Sequence, residues 1–184
     1  MEKSAWTDAD TESMFAMIGK YVIIFQWVEG LIDQCLLLGW GHENWGKSQS
    51  RLARMSNYEK IKKLREMVLQ DPVFARARTR PEWIAHFESI MNDLHKLRET
   101  RNSLVHSQYL FEFTKIGMPP LRSLRTRGNA GDSFDQVDMD KSRQKNLLAE
   151  LGQTGVDMNV IHVQLIHDYI AHENKSGSGL TKKG

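Results

Sequence analysis

The stretch from Asp8 to Leu38 constrains this chain more than any other. Met14, Phe15, Met17, Ile18, Tyr21, Val22, Phe25, Val28, Leu31, Ile32 and Cys35 recur along it at helical spacing. That pattern predicts one helix of roughly 45 Å, at about 1.5 Å per residue. Apolar positions cover more than one of its faces, so the helix must be buried on two sides. Thr7 and Asp10 supply a cap and a first-turn acid. Gly19 and Gly30 fall on nearly the same side of the helix. Glycine inside a helix costs about 1 kcal/mol relative to alanine. Two aligned glycines either mark the close approach of another helix, for example across a dimer interface, or are simply tolerated.

Tyr21 to Trp40 is the most hydrophobic part, yet it contains Gln26, Glu29, Asp33 and Gln34. Each acid near the centre of a spanning helix costs about 2.5–3.5 kcal/mol, so the expectation is a core helix and no membrane. Met1 to Asp10 is polar and acidic, without the basic-then-apolar order of a signal peptide. The 184 residues, 40% hydrophobic and 26% charged, fit one globular domain over 1–175, with 176–184 as a disordered Gly/Ser/Lys tail. A formal net charge of +2 announces no nucleic-acid partner by itself, so any basic surface must come from local clustering. Cys35, the single cysteine, allows no intramolecular disulfide and no cysteine-based zinc site, which suits a reducing cytoplasm.

Gly39 to Ser50 reads as a turn-rich connection. Ser56-Asn57-Tyr58-Glu59 is a capping-box pattern that opens a second helix, its start either there or within Gln49–Met55, and Asp71-Pro72 closes it. A third helix takes Thr79 as cap and Pro81 in its first turn, with Trp83, Phe87, Ile90, Leu94, Leu97, Leu104 and Val105 at helical spacing. Tyr109–Phe113 and Pro119–Thr126 read as extended, forming a hairpin around Gly117–Pro120, and Gly128–Ser133 as a flexible loop. A last helical region runs from about Asp138 to His172, with a break or bend at Gly152–Gly155. The expected fold class is all-α: a four-helix bundle with an elaborated, hairpin-like connection before the last helix.

The third helix carries an anomaly. Ile90, Leu94, Leu97, Leu104 and Val105 form one stripe, and Arg101 falls in its middle. A guanidinium there needs acidic or phosphate partners, because an unpaired buried charge is costly. Glu29, in the apolar first helix, is a candidate partner, which would make both residues structural. Asn102 and His106, four residues apart, stack on a flank of the helix, with His95 and Arg98 near it.

The spelling Arg101-Asn102-Ser103-Leu104-Val105-His106, at the end of an amphipathic helix and following a long apolar first helix with an internal acid, resembles the R-x(4–6)-H signature of the HEPN superfamily. The likeness covers roughly residues 10–173. It implies a HEPN-like four-helix fold and a homodimer in which two copies of the motif face each other. It implies a metal-independent endoribonuclease with no cofactor, of the toxin–antitoxin, phage-defence or RNA-processing kind, acting on RNA, with an antitoxin or regulatory protein as a further partner. Arg101, Asn102 and His106 would then be catalytic. Glu29, His95 and Arg98 stand second. The same resemblance includes non-catalytic HEPN modules that dimerise and bind a nucleotide or a protein, and this is the alternative reading. Some HEPN toxins carry a modified Tyr two residues after the motif His; here Ser107-Gln108 follow and Tyr109 comes third, so tyrosine modification is not carried over.

Arg76, Arg78, Arg80 and Arg122, Arg125, Arg127 form two basic clusters that either touch an RNA backbone or make a solvated charge face. His162, His167 and His172 rotate about 140° per step on a helix and do not converge on a metal. Trp27, Trp40, Trp45 and Trp83 read as core or interface residues. No H-E-x-x-H, phosphate-binding glycine loop or G-x-S-x-G elbow occurs.

Overall fold

A computed structural model describes residues 5–41, 45–128 and 131–177, the side chains of 121, 123–128, 131–138 and 176–177 excepted. The fold is all-α. Five helices carry it: α1 (Asp8–Trp40), a short α2 (Trp45–Leu52), α3 (Asn57–Gln70), α4 (Pro81–His106) and α5 (Lys141–Gly177). Between α4 and α5 lie β1 (Gln108–Leu110), β2 (Leu121–Gly128) and β3 (Gly131–Asp138), an antiparallel sheet in that order. The helices thread two compact units, Met1–Phe25 with Glu99–Gly152 and Gln26–Arg98 with Gln153–Gly184.

In the first unit, Thr7 and Asp10 cap α1 reciprocally: the Thr7 amide and hydroxyl donate to Asp10 Oδ2, and the Asp10 amide donates to Thr7 Oγ1. Lys141, at the start of α5, lies 2.6 Å from the same carboxylate. Lys141 first, then Thr7, holds the Asp10 carboxyl below its ordinary range. Met14, Met17, Tyr21, Phe25, Leu104, Met139 and Leu151 form the core. Burial pushes the Tyr21 phenol up to about 12 against a hydrogen bond with Thr100, and Glu150 adds to the rise.

β1 pairs with β2 from Gln108↔Ser123 to Leu110↔Leu121, and β2 pairs with β3 from Leu121↔Asp138 to Gly128↔Gly131. The antiparallel pairing expected around Gly117–Pro120 is present between β1 and β2, but the stretch expected to be extended over Tyr109–Phe113 is strand only to Leu110 and continues as a 3-10 helix over Phe111–Ile116 that ends in Gly117. That glycine has φ +75°, a backbone region open to it because it lacks Cβ, and its carbonyl accepts from the Trp6 amide at 2.8 Å. The loop expected over Gly128–Ser133 is largely strand, its residues 129–130 lying outside the described residues.

The second unit is a helical bundle around Val28, Ile32, Cys35, Leu36, Ile61, Leu64, Val68, Phe87, Met91, Leu94, Met158, Ile161 and Leu165. Such side chains contribute about 1.5–3 kcal/mol each when fully buried. Burial raises the Cys35 thiol well above its ordinary value. The capping box at Ser56 forms with both of its hydrogen bonds, and Asp71 ends α3 before Pro72. Where a connection was expected, Trp45–Leu52 is helical, and Arg51 lies over the Trp40 ring at 4.6 Å. Thr79 does not cap α4; its hydroxyl donates to the Arg76 carbonyl within a 3-10 turn.

α5 runs unbroken through Gly152–Gly155. A Cβ on Gly155 would lie 2.9 Å from Trp27 Cζ3 and 3.3 Å from Val28 Cγ2, so this glycine permits a helix crossing rather than a bend. Gly19 and Gly30 have nothing within 4 Å of such a Cβ, so no helix among the described residues approaches there. Among the described residues α1 is the one helix long and apolar enough to cross a membrane by length and composition, with a mean hydropathy of 1.5 over its most apolar window, 39% of it buried.

Candidate functional site

α4 ends at His106, and its last turn is closed by Ser107, whose amide and hydroxyl both donate to the Ser103 carbonyl. Tyr109, on β1, braces the same turn by donating its hydroxyl to the Leu104 carbonyl at 2.9 Å. Leu104 is buried, and the apolar stripe ends with it, since Val105 is 43% exposed. The motif thus sits where a buried helix turns outward.

Arg101 is half-buried, and Asn102 and His106 are exposed. Arg101 Nη1 donates to Asn102 Oδ1 at 3.1 Å. This bond takes one of the two lone pairs of the Asn102 carbonyl, and the amide N–H donors point to no acceptor among the described residues. Glu29 is not the partner of Arg101. It lies 3.0 Å from Lys60, as does Asp33. No carboxylate among the described residues pairs with Arg101. The arrangement presents a cation, amide donors and an imidazole on one exposed helix end. That set can hold an oxyanion and move a proton beside it.

The other candidates have intrachain work. In the second unit, His95 and Arg98 both pack on Tyr58, the ring centroid at 5.2 Å and the guanidinium at 5.2 Å over the ring. Arg78 donates to the carbonyls of Val68 and Asp71. Arg80 pairs with Asp168, which is 2% exposed, and Arg76 lies 3.7 Å from that carboxylate. Arg80 also lies over Trp83, whose ring stacks on Phe87. Two of these three arginines therefore have most of their bonding met inside the bundle, and the exposed Arg76 has the least. The side chains of Arg125 and Arg127 lie outside the described residues. Arg122 is buried, not part of a solvated face. Of the four tryptophans weighed, Trp83 is buried, whereas Trp27 and Trp45 are 47% exposed.

Two features near the motif escape sequence reasoning. The Tyr109 brace spans a chain reversal that no local pattern encodes. An aromatic run also forms in which Phe111 lies 5.6 Å from Phe15 and 6.2 Å from Tyr109, joining residues far apart in the chain.

What the fold and site define is an all-α protein with an arginine–asparagine pair and a histidine at an exposed helix end. Comparison with protein-family models, with curated proteins and with solved structures finds no match.

Proposed function

We propose that this protein is a HEPN-type endoribonuclease that works as a homodimer without a metal ion. The observation that supports it is the open motif: no carboxylate among the described residues seals Arg101, and Asn102 and His106 face solvent one turn apart. In this reading the 2′-hydroxyl oxygen of the substrate attacks the adjacent phosphorus and the bond from phosphorus to the 5′-oxygen breaks. One proton leaves the 2′-hydroxyl and one reaches the departing 5′-oxygen. A single His106 per chain suits one of these transfers, so a second copy, bringing its own imidazole, suits the other. Arg101 offsets the charge that builds on the phosphoryl oxygens, and the Asn102 amide orients them.

A second copy has an apolar seam available to it. Val156, Val160, Val163 and Ile170 are all exposed on α5, at steps of four, three and seven residues, the spacing by which one helix covers another.

The test is incubation of the protein with mixed cellular RNA in EDTA, beside His106→Ala and Arg101→Ala proteins whose folding is checked by circular dichroism. Cleavage by the wild type alone, leaving 2′,3′-cyclic phosphate and 5′-hydroxyl ends, is the expected result. Equal cleavage by His106→Ala would remove the histidine from the chemistry. No cleavage by any version would favour a non-catalytic binding module. Sedimentation at two protein concentrations reads the dimer separately.

A further inference from the structure

Arg122 is the most unusual side chain in the first unit. It lies on the central strand of the sheet, opposite Tyr109 on β1 and Val137 on β3, and is 5% exposed. Its positive charge works against the burial that raises the Tyr109 phenol, so the two groups interact. The Tyr109 hydroxyl donates its proton to the Leu104 carbonyl. Arg122 Nε and Nη1 are buried and have no hydrogen-bond partner among the described residues. No carboxylate among the described residues pairs with Arg122, and the like charge of Arg143, in the first turn of α5, bears on it. The Asp140 carboxylate is engaged in capping that helix, where Oδ1 accepts from the Arg143 amide at 2.8 Å.

A buried cation without a counter-charge costs several kcal/mol, and a like charge nearby adds to the cost. Helix and sheet would not by themselves require an arginine there. An oxyanion would answer both problems: it accepts from the free N–H groups of Nε and Nη1, and it attracts the exposed Arg143 at the positive end of α5. Phosphate suits the set better than a carboxylate, having more acceptor oxygens and more charge to set against two guanidinium groups.

We propose that Arg122, with Arg143, forms a binding site for a phosphate-type oxyanion, distinct from the Arg101–Asn102–His106 motif and joined to it through Tyr109. The anion is either a backbone phosphate of an RNA strand or a free phosphate. The RNA source rests on the ribonuclease reading; the site itself does not. Occupying it would steady Arg122 beside Tyr109, whose hydroxyl braces the turn that presents His106.

The experiment has two arms. In the first, thermal unfolding of the full chain is followed against inorganic phosphate, with chloride at matched ionic strength as control, for the wild type, Arg122→Gln and Arg143→Gln. Saturable stabilisation of the wild type is expected, a rise of roughly 5–10 °C at a hundredfold excess over Kd. Arg122→Gln should lose that rise, and Arg143→Gln should weaken phosphate binding severalfold. An equal rise in all three proteins, a rise that never saturates, or none in the wild type would overturn the site. Should Arg122→Gln not fold, the saturation of the wild type and the weakening in Arg143→Gln still decide the matter.

In the second arm, binding of a short single-stranded RNA to the His106→Ala protein is measured across salt concentrations, with and without Arg122→Gln. A salt slope lower by about 0.7 in the double variant supports the RNA backbone as the source, and an unchanged slope beside intact phosphate binding supports free phosphate. If no version cuts or binds RNA while the phosphate arm succeeds, the ribonuclease reading fails and the oxyanion site stands.

Discussion

The Lys60 ammonium lies 3.0 Å from the Glu29 carboxylate, and the Asp33 carboxylate is at the same distance. Burial alone would lower the Lys60 pKa, but hydrogen bonds and charge from Asp33 and Glu29 outweigh it and leave it raised. The Asp33 carboxyl is raised by burial, more than Lys60 can offset. Replacing Lys60 by methionine leaves two half-buried acids facing each other. Breaking a buried pair costs about 3–5 kcal/mol, and solvent reaching the acids places this case at the lower end. The sign of the pH effect follows from the direction of the Asp33 shift. A carboxyl with a raised folded pKa binds protons more readily in the folded state, so stability grows as pH falls toward the ordinary carboxylate range of about 4. Denaturant unfolding of Lys60→Met should thus show a loss at neutral pH that shrinks in mild acid. A loss of the same size at both pH values would mean that the acids are not its cause.

Asp168 meets the same physics with the charges exchanged. Its carboxylate is enclosed in the second unit between Arg80 and, at 3.7 Å, Arg76. Asp168→Asn should cost about 3 kcal/mol or more, a Tm lower by roughly 6–12 °C for a chain of this size. Arg76→Ala should cost little, because that side chain is exposed. Differential scanning calorimetry of the two variants checks the ranking. The same geometry bears on RNA binding: an Arg80 variant that binds RNA poorly is informative only if it still melts like the wild type.

Local signals in the sequence read well where the interaction itself is local. The capping box at Ser56, the cap at Thr7 and the end of α3 at Asp71-Pro72 each involve side chains within a few residues of one another, and all are found as expected. The all-α class followed from the helical spacing of α1 and α4. Partnerships between distant residues were not legible. Glu29 has helical neighbours of several kinds, and nothing in its spacing favours Lys60 over Arg101. Gly155 reads as a helix breaker because its partner, Trp27, lies more than a hundred residues earlier. Arg122 reads as one of three surface arginines until pairing with β1 and β3 encloses it. For the motif, the sequence identified the residues and their helix; their exposure, and the Tyr109 brace, required the fold.

The glycines give a prediction with opposite signs along two helices. At Gly19, Gly30 and Gly152 an added Cβ meets nothing within 4 Å. Alanine there should gain helix propensity, about 0.5–1 kcal/mol at each position. At Gly155 the same change drives Cβ into the edge of the Trp27 ring and against Val28, and overpacking of this kind costs about 1–3 kcal/mol, enough to cancel or reverse the gain. Urea unfolding of the four single variants should place Gly155→Ala below the other three. A loss at Gly19→Ala or Gly30→Ala that deepens with protein concentration would show that a second chain covers that side of α1.

His162 gives a pH response of its own. Burial lowers its pKa below the ordinary value of 6.5. Between the unfolded and the folded value, the unfolded chain takes up a proton that the folded chain resists, so folding is opposed there. Above about 6.5 the imidazole is neutral in both states and has no such effect. Stability should therefore be level above that pH and decline as pH falls through the window beneath it. His162→Gln, which keeps a polar side chain of similar reach without the titration, should flatten this part of the profile while the response of the carboxylates at lower pH remains. The effect should be small, because the ring is only partly enclosed and water screens much of its charge. Unfolding followed by tryptophan fluorescence at several pH values between 5 and 8, a range in which histidine titrates, would resolve it. A decline of equal slope in both proteins would assign the response to another group.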